Sequence, residues 1–183
     1  MIIAIDGPAG SGKSTVAKMI AADLGFTFMN TGSFYRAMAL AVLRSLGGDE
    51  SGAGAKKPDL TNEAKWTDFA KNVLLEYKRD GMYLDGRCVE PYLRSDAVES
   101  IVAALSAIVP IRHLINKKIR AAAAKLNIVC EGRDMTTVVF PNAECKVYLD
   151  ASVDTRTRRR FEQGTSSLSE AEIRKNIEER DAI

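Results

Sequence analysis

Histidine is almost missing from this chain. His113 stands alone beside a proline and reads as a partly solvated helix residue rather than a general base. Cysteine is scarce too. Cys88, Cys130 and Cys145 are three in number and widely spaced, which suits neither a disulfide framework nor a zinc knuckle. Cys130 and Cys145 lie in or beside apolar strand runs and read as small buried hydrophobes. No run approaches the roughly 18–20 apolar residues of a membrane helix. The first residues enter an apolar strand with no basic leader or cleavage site. A cytoplasmic location with no membrane partner is therefore expected. Excess charge is also lacking: 26 basic against 24 acidic residues leave +2. Bulk charge gives no support to a nucleic-acid partner, and any anion must be held by local basic patches. Internal repeats and low-complexity tracts are absent, and so is the Asn-Lys-x-Asp motif with which a GTP switch reads guanine.

What is present starts at once. Met1-Ile-Ile-Ala-Ile5 is short and β-branched, and reads as a buried strand. Gly7-Pro-Ala-Gly-Ser-Gly-Lys-Ser14 follows, a GxxxxGK[ST] loop, and then Lys13 to Leu24 with Val16, Ile20 and Leu24 at helical spacing. Strand, glycine loop and helix in that order make a phosphate cradle, because the loop turns its N–H groups inward and the helix adds its positive end. Gly7, Pro8, Ala9, Gly10, Ser11, Gly12, Lys13, Ser14 and Thr15 are the candidate residues for a nucleotide's phosphates, a loop that by itself does not separate a kinase from an ATPase or a GTP switch. In such loops the lysine bridges the β- and γ-phosphates and the hydroxyl corresponding to Ser14 sits on Mg²⁺. Asp6 stays open between orienting the metal's water shell and capping the loop, with the structural role favoured.

Downstream, the pattern predicts a strand at Phe26–Met29, a helix over Ser33–Leu46 and a flexible loop over Gly47–Pro58. Trp66, Phe69, Ala70 and Val73 mark a short helix whose aromatic stripe belongs to the core. Asp80-Gly81 signals a hairpin between Val73–Tyr77 and Met82–Val89. Ser95 caps a helix with Val98, Ile101, Val102 and Leu105 on one face. Pro110 interrupts it, and Ile111, Leu114, Ile115 and Ile119 begin another. Leu126–Cys130 and Cys145–Leu149 read as buried parallel strands, and Ser169-Glu-Ala-Glu172 as a capping box opening a last helix. Alternating strands and helices behind a first-strand phosphate loop predict a P-loop NTPase α/β fold, three-layer α/β/α with a parallel central sheet. Asp6-Gly7, Asn30-Thr31-Gly32 and Glu131-Gly132-Arg133-Asp134 fall at strand ends, where such sheets bind ligands.

Four further segments narrow the reading. Asn30-Thr-Gly-Ser-Phe-Tyr-Arg36, Ser106-Ala-Ile-Val-Pro-Ile-Arg112, Glu131-Gly-Arg-Asp-Met-Thr-Thr-Val-Val-Phe-Pro141, and Leu149-Asp-Ala-Ser152 followed by Arg156–Arg160 resemble, in order and spacing, bacterial cytidylate kinase. With the phosphate loop they span essentially the whole chain. The resemblance implies Mg²⁺- and ATP-dependent phosphorylation of CMP or dCMP. It also implies a core running 1–183, a monophosphate-binding lobe inserted at about 59–94 and a lid over about 153–183. It assigns Thr31, Arg36, Arg112, Arg133 and Asp134 to the CMP site, and Arg180 to the neighbourhood of the transferred phosphate. Guanidiniums suit a phosphate dianion because they grip it bidentately. Asp134 suits instead the exocyclic amine or a sugar hydroxyl of a pyrimidine nucleoside. Among the lid arginines, Arg156 and Arg160 share a helix face and are the choices for neutralising charge on the moving phosphoryl group.

The chain departs from the family's pattern in places. Asn30 and Asn142 stand where an Asp is usual, and Thr136 where a Gly is usual. Ala103 replaces a serine that many relatives offer to the base, and Pro110 falls one position late. Relatives continue past Arg180-Asp181, so the chain is expected to be C-terminally incomplete. A monomer is expected, with nucleotides as its partners. The rival readings are another small-molecule P-loop kinase, acting on AMP, UMP or shikimate, and a catalytically silent nucleotide-binding fragment.

Overall fold

The computed structural model describes residues 1–78, 80–124, 126–162 and 169–181, the last three as backbone alone. The chain divides into two compact units, one of Met1–Met29 with Asn127–Ile183 and one of Asn30–Leu126. The expected inserted lobe, 59–94, falls inside the second unit.

The first unit is built on a parallel sheet. Strand β1 (Ile2–Asp6) pairs with β6 (Ile128–Gly132) on one side and β7 (Cys145–Tyr148) on the other, and β2 (Thr27–Asn30) lies beyond β6. The register sets Ile5 opposite Glu131 and Asp6 opposite Gly132. The last residues of β1 and β6 therefore open side by side at the carboxyl edge, where open α/β sheets bind ligands. Helix α1 (Lys13–Leu24) packs on this sheet, and Ile3, Ile5, Ala17, Ala21 and Val129 form the core beneath it. Each fully buried isoleucine contributes about 1.5–3 kcal/mol. The face of α1 turned to the sheet is its small one. Ala17 and Ala21 are the buried apolar residues of α1, Val16 and Ile20 pack beside them, and Leu24 is exposed. Small residues on the contact face let helix and sheet approach closely, which turns the bulkier stripe outward. Cys130 is fully buried in β6, and burial pushes its thiol up to about 12. Helices α6 (Val153–Glu162) and α7 (Glu170–Asp181) pack on each other. The capping box forms as expected, with Ser169 Oγ and Glu172 exchanging bonds.

In the second unit, helix α2 (Gly32–Ser45) is buried nearly all round and lies against α4 (Asp96–Ala107). Helix α3 (Glu63–Asn72) is capped by Asn62 and buries Trp66, whose Nε1 donates to the Asp59 carbonyl at 2.7 Å. The expected hairpin forms as β3 (Leu75–Lys78) and β4 (Gly81–Leu84). Asp85-Gly86 then turns the chain again into β5 (Arg87–Cys88). That second Asp-Gly carries the same turn signal as the first. Ser95 caps α4 through the Val98 N–H, and Pro110 sits in the first turn of α5 (Val109–Ala123), where its missing N–H costs nothing. The two helices meet at 102°.

The Gly47–Pro58 segment is irregular as expected but well tied. Asp49 accepts from the Ser51 N–H, the Ser51 hydroxyl and the Ala53 N–H, and the Ser51 carbonyl accepts from Ser95. Among the described residues no single helix is long and apolar enough to cross a membrane.

Candidate active site

The phosphate loop occupies the edge where β1, β6 and α1 meet. A Cβ on Gly7 would run into the Leu149 carbonyl oxygen, and Gly7 holds φ 150, so only glycine fits beneath β7. Gly10, at φ 80, lets the backbone of α6 come close: a Cβ there would lie 3.2 Å from Arg156 Cβ. Lys13 begins α1 and is buried, with Nζ donating to the Pro8 carbonyl at 2.7 Å. Burial lowers the Lys13 pKa, Glu131 raises it, Arg133 lowers it, Asp6 raises it and Arg156 lowers it, in that order of weight. The lysine thus sits in a field where two acids hold its charge against desolvation and two guanidiniums.

Glu131 is the residue that sequence reasoning quoted without assigning a role. It is buried at the end of β6 and accepts from the Ser14 hydroxyl at 2.9 Å. Its signal was available: an acid closing a buried strand beside the phosphate-loop strand. Asp6 has a settled task. Its carboxylate accepts from the Met135 N–H and Thr136 N–H, both at 2.8 Å, and from the Thr136 hydroxyl at 2.6 Å. It therefore holds the turn that follows β6, and the side chain it uses there is Thr136, one of the departures from the family pattern. Arg133 is exposed and Asp134 half-buried on this turn, beyond the end of β6.

The arginines of α6 reach the loop from its other side. Arg156 is buried, with Nε donating to the Ala151 carbonyl at 2.9 Å and Nη1 to the Ala9 carbonyl at 3.3 Å. Arg159 Nη1 donates to the Ser11 carbonyl at 3.1 Å. Arg156 was expected near the phosphates and Arg159 was not, because a run of four arginines in five positions does not reveal which ones a helix turns inward. Arg160 is exposed. Arg180 belongs to the α7 backbone, but its side chain lies outside the described residues.

Thr31, Arg36 and Arg112 belong to the second unit. Thr31 is buried at the start of α2. Arg36, one turn on, gives its Nε to Glu99 of α4 at 2.8 Å. Arg112 is exposed in the first turn of α5. Glu99 is the second residue sequence reasoning missed, since a pair 63 residues apart leaves no local pattern.

The loop fits a polyphosphate on its own evidence. The Ser11 hydroxyl is buried without a hydrogen-bond partner inside the described structure, an arrangement that suits an anion supplied from outside. Ser14 and Glu131 offer hard oxygen donors of the kind Mg²⁺ takes. Among the described residues no cluster of three metal-ligating side chains exists.

Residues 3–183 match the family model described as cytidylate kinase. The chain belongs to the cytidylate kinase family. It is 38% identical to cytidylate kinase of Borrelia duttonii over 185 residues, covering all of this chain and 81% of that protein. It is 40% identical to cytidylate kinase of Thermodesulfovibrio yellowstonii over 185 residues, 98% of this chain and 80% of that one. Among solved structures, deoxyadenosine kinase from M. mycoides with bound dATP aligns over 98% of this chain and 83% of its own at 17% identity and TM-score 0.40. Family membership places the loop and the parallel sheet in the P-loop α/β class that the strand–loop–helix order predicts. Within that family's frame, Lys13, Ser14 and Glu131 form one cluster, and Arg156 and Arg159 brace the loop from α6.

Proposed function

We propose that the protein transfers the γ-phosphoryl group of ATP to the phosphate of CMP or dCMP, giving the nucleoside diphosphate and ADP. The observation that supports this best is the cluster of buried Lys13 and Glu131 with Ser14 at the phosphate loop of a chain in the cytidylate kinase family. An acceptor phosphate oxygen forms the new bond to phosphorus as the bond to the β-phosphate oxygen breaks. The acceptor is already ionised, so no general base is required, and positioning with charge stabilisation carries the rate. This agrees with a chain whose single histidine, His113, is exposed on α5.

The roles follow the resemblance. Gly7 to Thr15 cradle the ATP phosphates, and Lys13 neutralises charge on the group in transit. Arg36, Arg112 and Arg133 grip the acceptor phosphate with Thr31 beside them, and Asp134 reads the cytosine amine or a sugar hydroxyl. Arg156, Arg160 and Arg180 serve the transferred phosphoryl group. Mg²⁺, held by Ser14 with Glu131 behind it, would supply charge neutralisation on the triphosphate. The test is a coupled diphosphate assay with CMP, dCMP, UMP and AMP as acceptors. Turnover with CMP and dCMP well above UMP and AMP is expected. Preference for AMP or UMP, or no turnover with any acceptor, overturns the assignment.

A further inference from the structure

The grip of α6 on the phosphate loop has a consequence for how the cradle is shaped. Arg156 and Arg159 stand three apart on α6 and hold alternate carbonyls of the loop, Ala9 and Ser11. In a trans peptide the C=O and the following N–H point in opposite directions. A Ser11 carbonyl drawn toward α6 therefore aims the Gly12 N–H away from α6, and an Ala9 carbonyl drawn the same way does so for Gly10. Gly12 is the N-cap of α1, with φ 98 and no side chain to cap the helix. Its N–H thus joins the orphan donors of the first turn, where anions bind. Among the described residues neither the Gly10 nor the Gly12 N–H has a hydrogen-bond partner. Ser11 N–H and Lys13 Nζ, by contrast, both share the Pro8 carbonyl.

We propose that Arg159 is a positioning residue for the donor triphosphate: by holding the Ser11 carbonyl outward it aims the Gly12 N–H into the phosphate cradle before the nucleotide arrives. Arg156 does the same for Gly10 but is buried against the α6 N-terminus through Ala151 as well, so its removal disturbs packing. Arg159 reaches the loop with the tip of an otherwise exposed side chain, so the effect is separable there. The inference rests on the proposed use of ATP as phosphoryl donor, not on the identity of the acceptor.

The experiment compares the unaltered chain with Arg159→Ala and Arg159→Lys. Equilibrium binding of MgATP, inorganic tripolyphosphate and CMP is measured by calorimetry, and the Gly10 and Gly12 amide resonances are recorded without ligand. Arg159→Ala is expected to weaken MgATP and tripolyphosphate about tenfold or more, the scale of a lost charge-assisted hydrogen bond. CMP binding and the melting temperature should stay put. The Gly12 amide should shift in the ligand-free protein, and Arg159→Lys should recover most of the loss. The proposal is overturned by tripolyphosphate binding that does not change, by a Gly12 amide that does not move, or by equal losses of ATP and CMP affinity with a lowered melting temperature. If the unaltered chain binds ATP yet fails to phosphorylate CMP, the acceptor assignment falls while this comparison still stands.

Discussion

Glu131→Gln tests the electrostatic logic of the phosphate loop. The amide keeps an oxygen to accept from Ser14, whose hydroxyl lies 2.9 Å from the native carboxylate, but it removes the charge. That charge is the largest influence holding the Lys13 proton on, against burial, which lowers the Lys13 pKa. A nearby negative charge favours the protonated lysine, so taking it away leaves burial and the neighbouring guanidiniums less opposed. Its removal should therefore lower the Lys13 pKa further. Lys13 is charged below its pKa and neutral above it. Its charge is therefore lost at lower pH in the variant, and the alkaline limb of kcat/KM for ATP moves to lower pH. The profile of kcat/KM for ATP is the one to read because it reports the enzyme before ATP binds, whereas kcat reports the complex, in which the triphosphate itself holds the proton on Lys13. The assay is initial rate with varied ATP at saturating CMP from pH 6 to 10.5. An alkaline limb that stays in place or moves upward would refute the coupling between Glu131 and Lys13.

Other outcomes follow from the same geometry. Lys13→Ala should lower kcat by two decades or more with little change in CMP affinity, since its charge acts on the phosphoryl group in transit; near-normal turnover would remove the loop from the mechanism. Arg133→Ala and Asp134→Ala should raise KM for CMP about 10–100-fold and KM for ATP far less, on the scale of charged hydrogen bonds. In the unaltered protein UMP should be the poorer acceptor, and equal losses for both substrates would contradict this assignment. Gly7→Ala sets a methyl group against the Leu149 carbonyl at φ 150. Strain of about 3 kcal/mol should lower the melting temperature by about 6–12 °C, and a variant melting within 2 °C of the parent would show that β7 yields.

Much of the fold was legible because local chemistry wrote it. The phosphate loop needs glycines at set intervals between a β-branched strand and a helix, and α1 falls on Lys13–Leu24, the span its pattern predicts. The Ser95 cap, the Asp80-Gly81 turn, the Pro110 break and the Ser169 capping box act over three or four residues, so residue order alone reveals them. The family is legible for a related reason: loop, strand ends and arginines recur at spacings along the whole chain.

What tertiary structure decided are choices between distant partners. Asp6 could serve a metal's waters or cap a loop, and the pairing of β1 with β6 gives it instead to the turn at Met135 and Thr136. Glu131 became the partner of Ser14, 117 residues away, only when the parallel register put both strand ends on one edge. The arginine run of α6 carried four similar charges, and only the docking of that helix on Gly10 selects Arg156 and Arg159 for the loop. The outward turn of Leu24 has the same origin. Periodicity states which residues share a face, whereas the fit of small alanines against a sheet decides which face is buried.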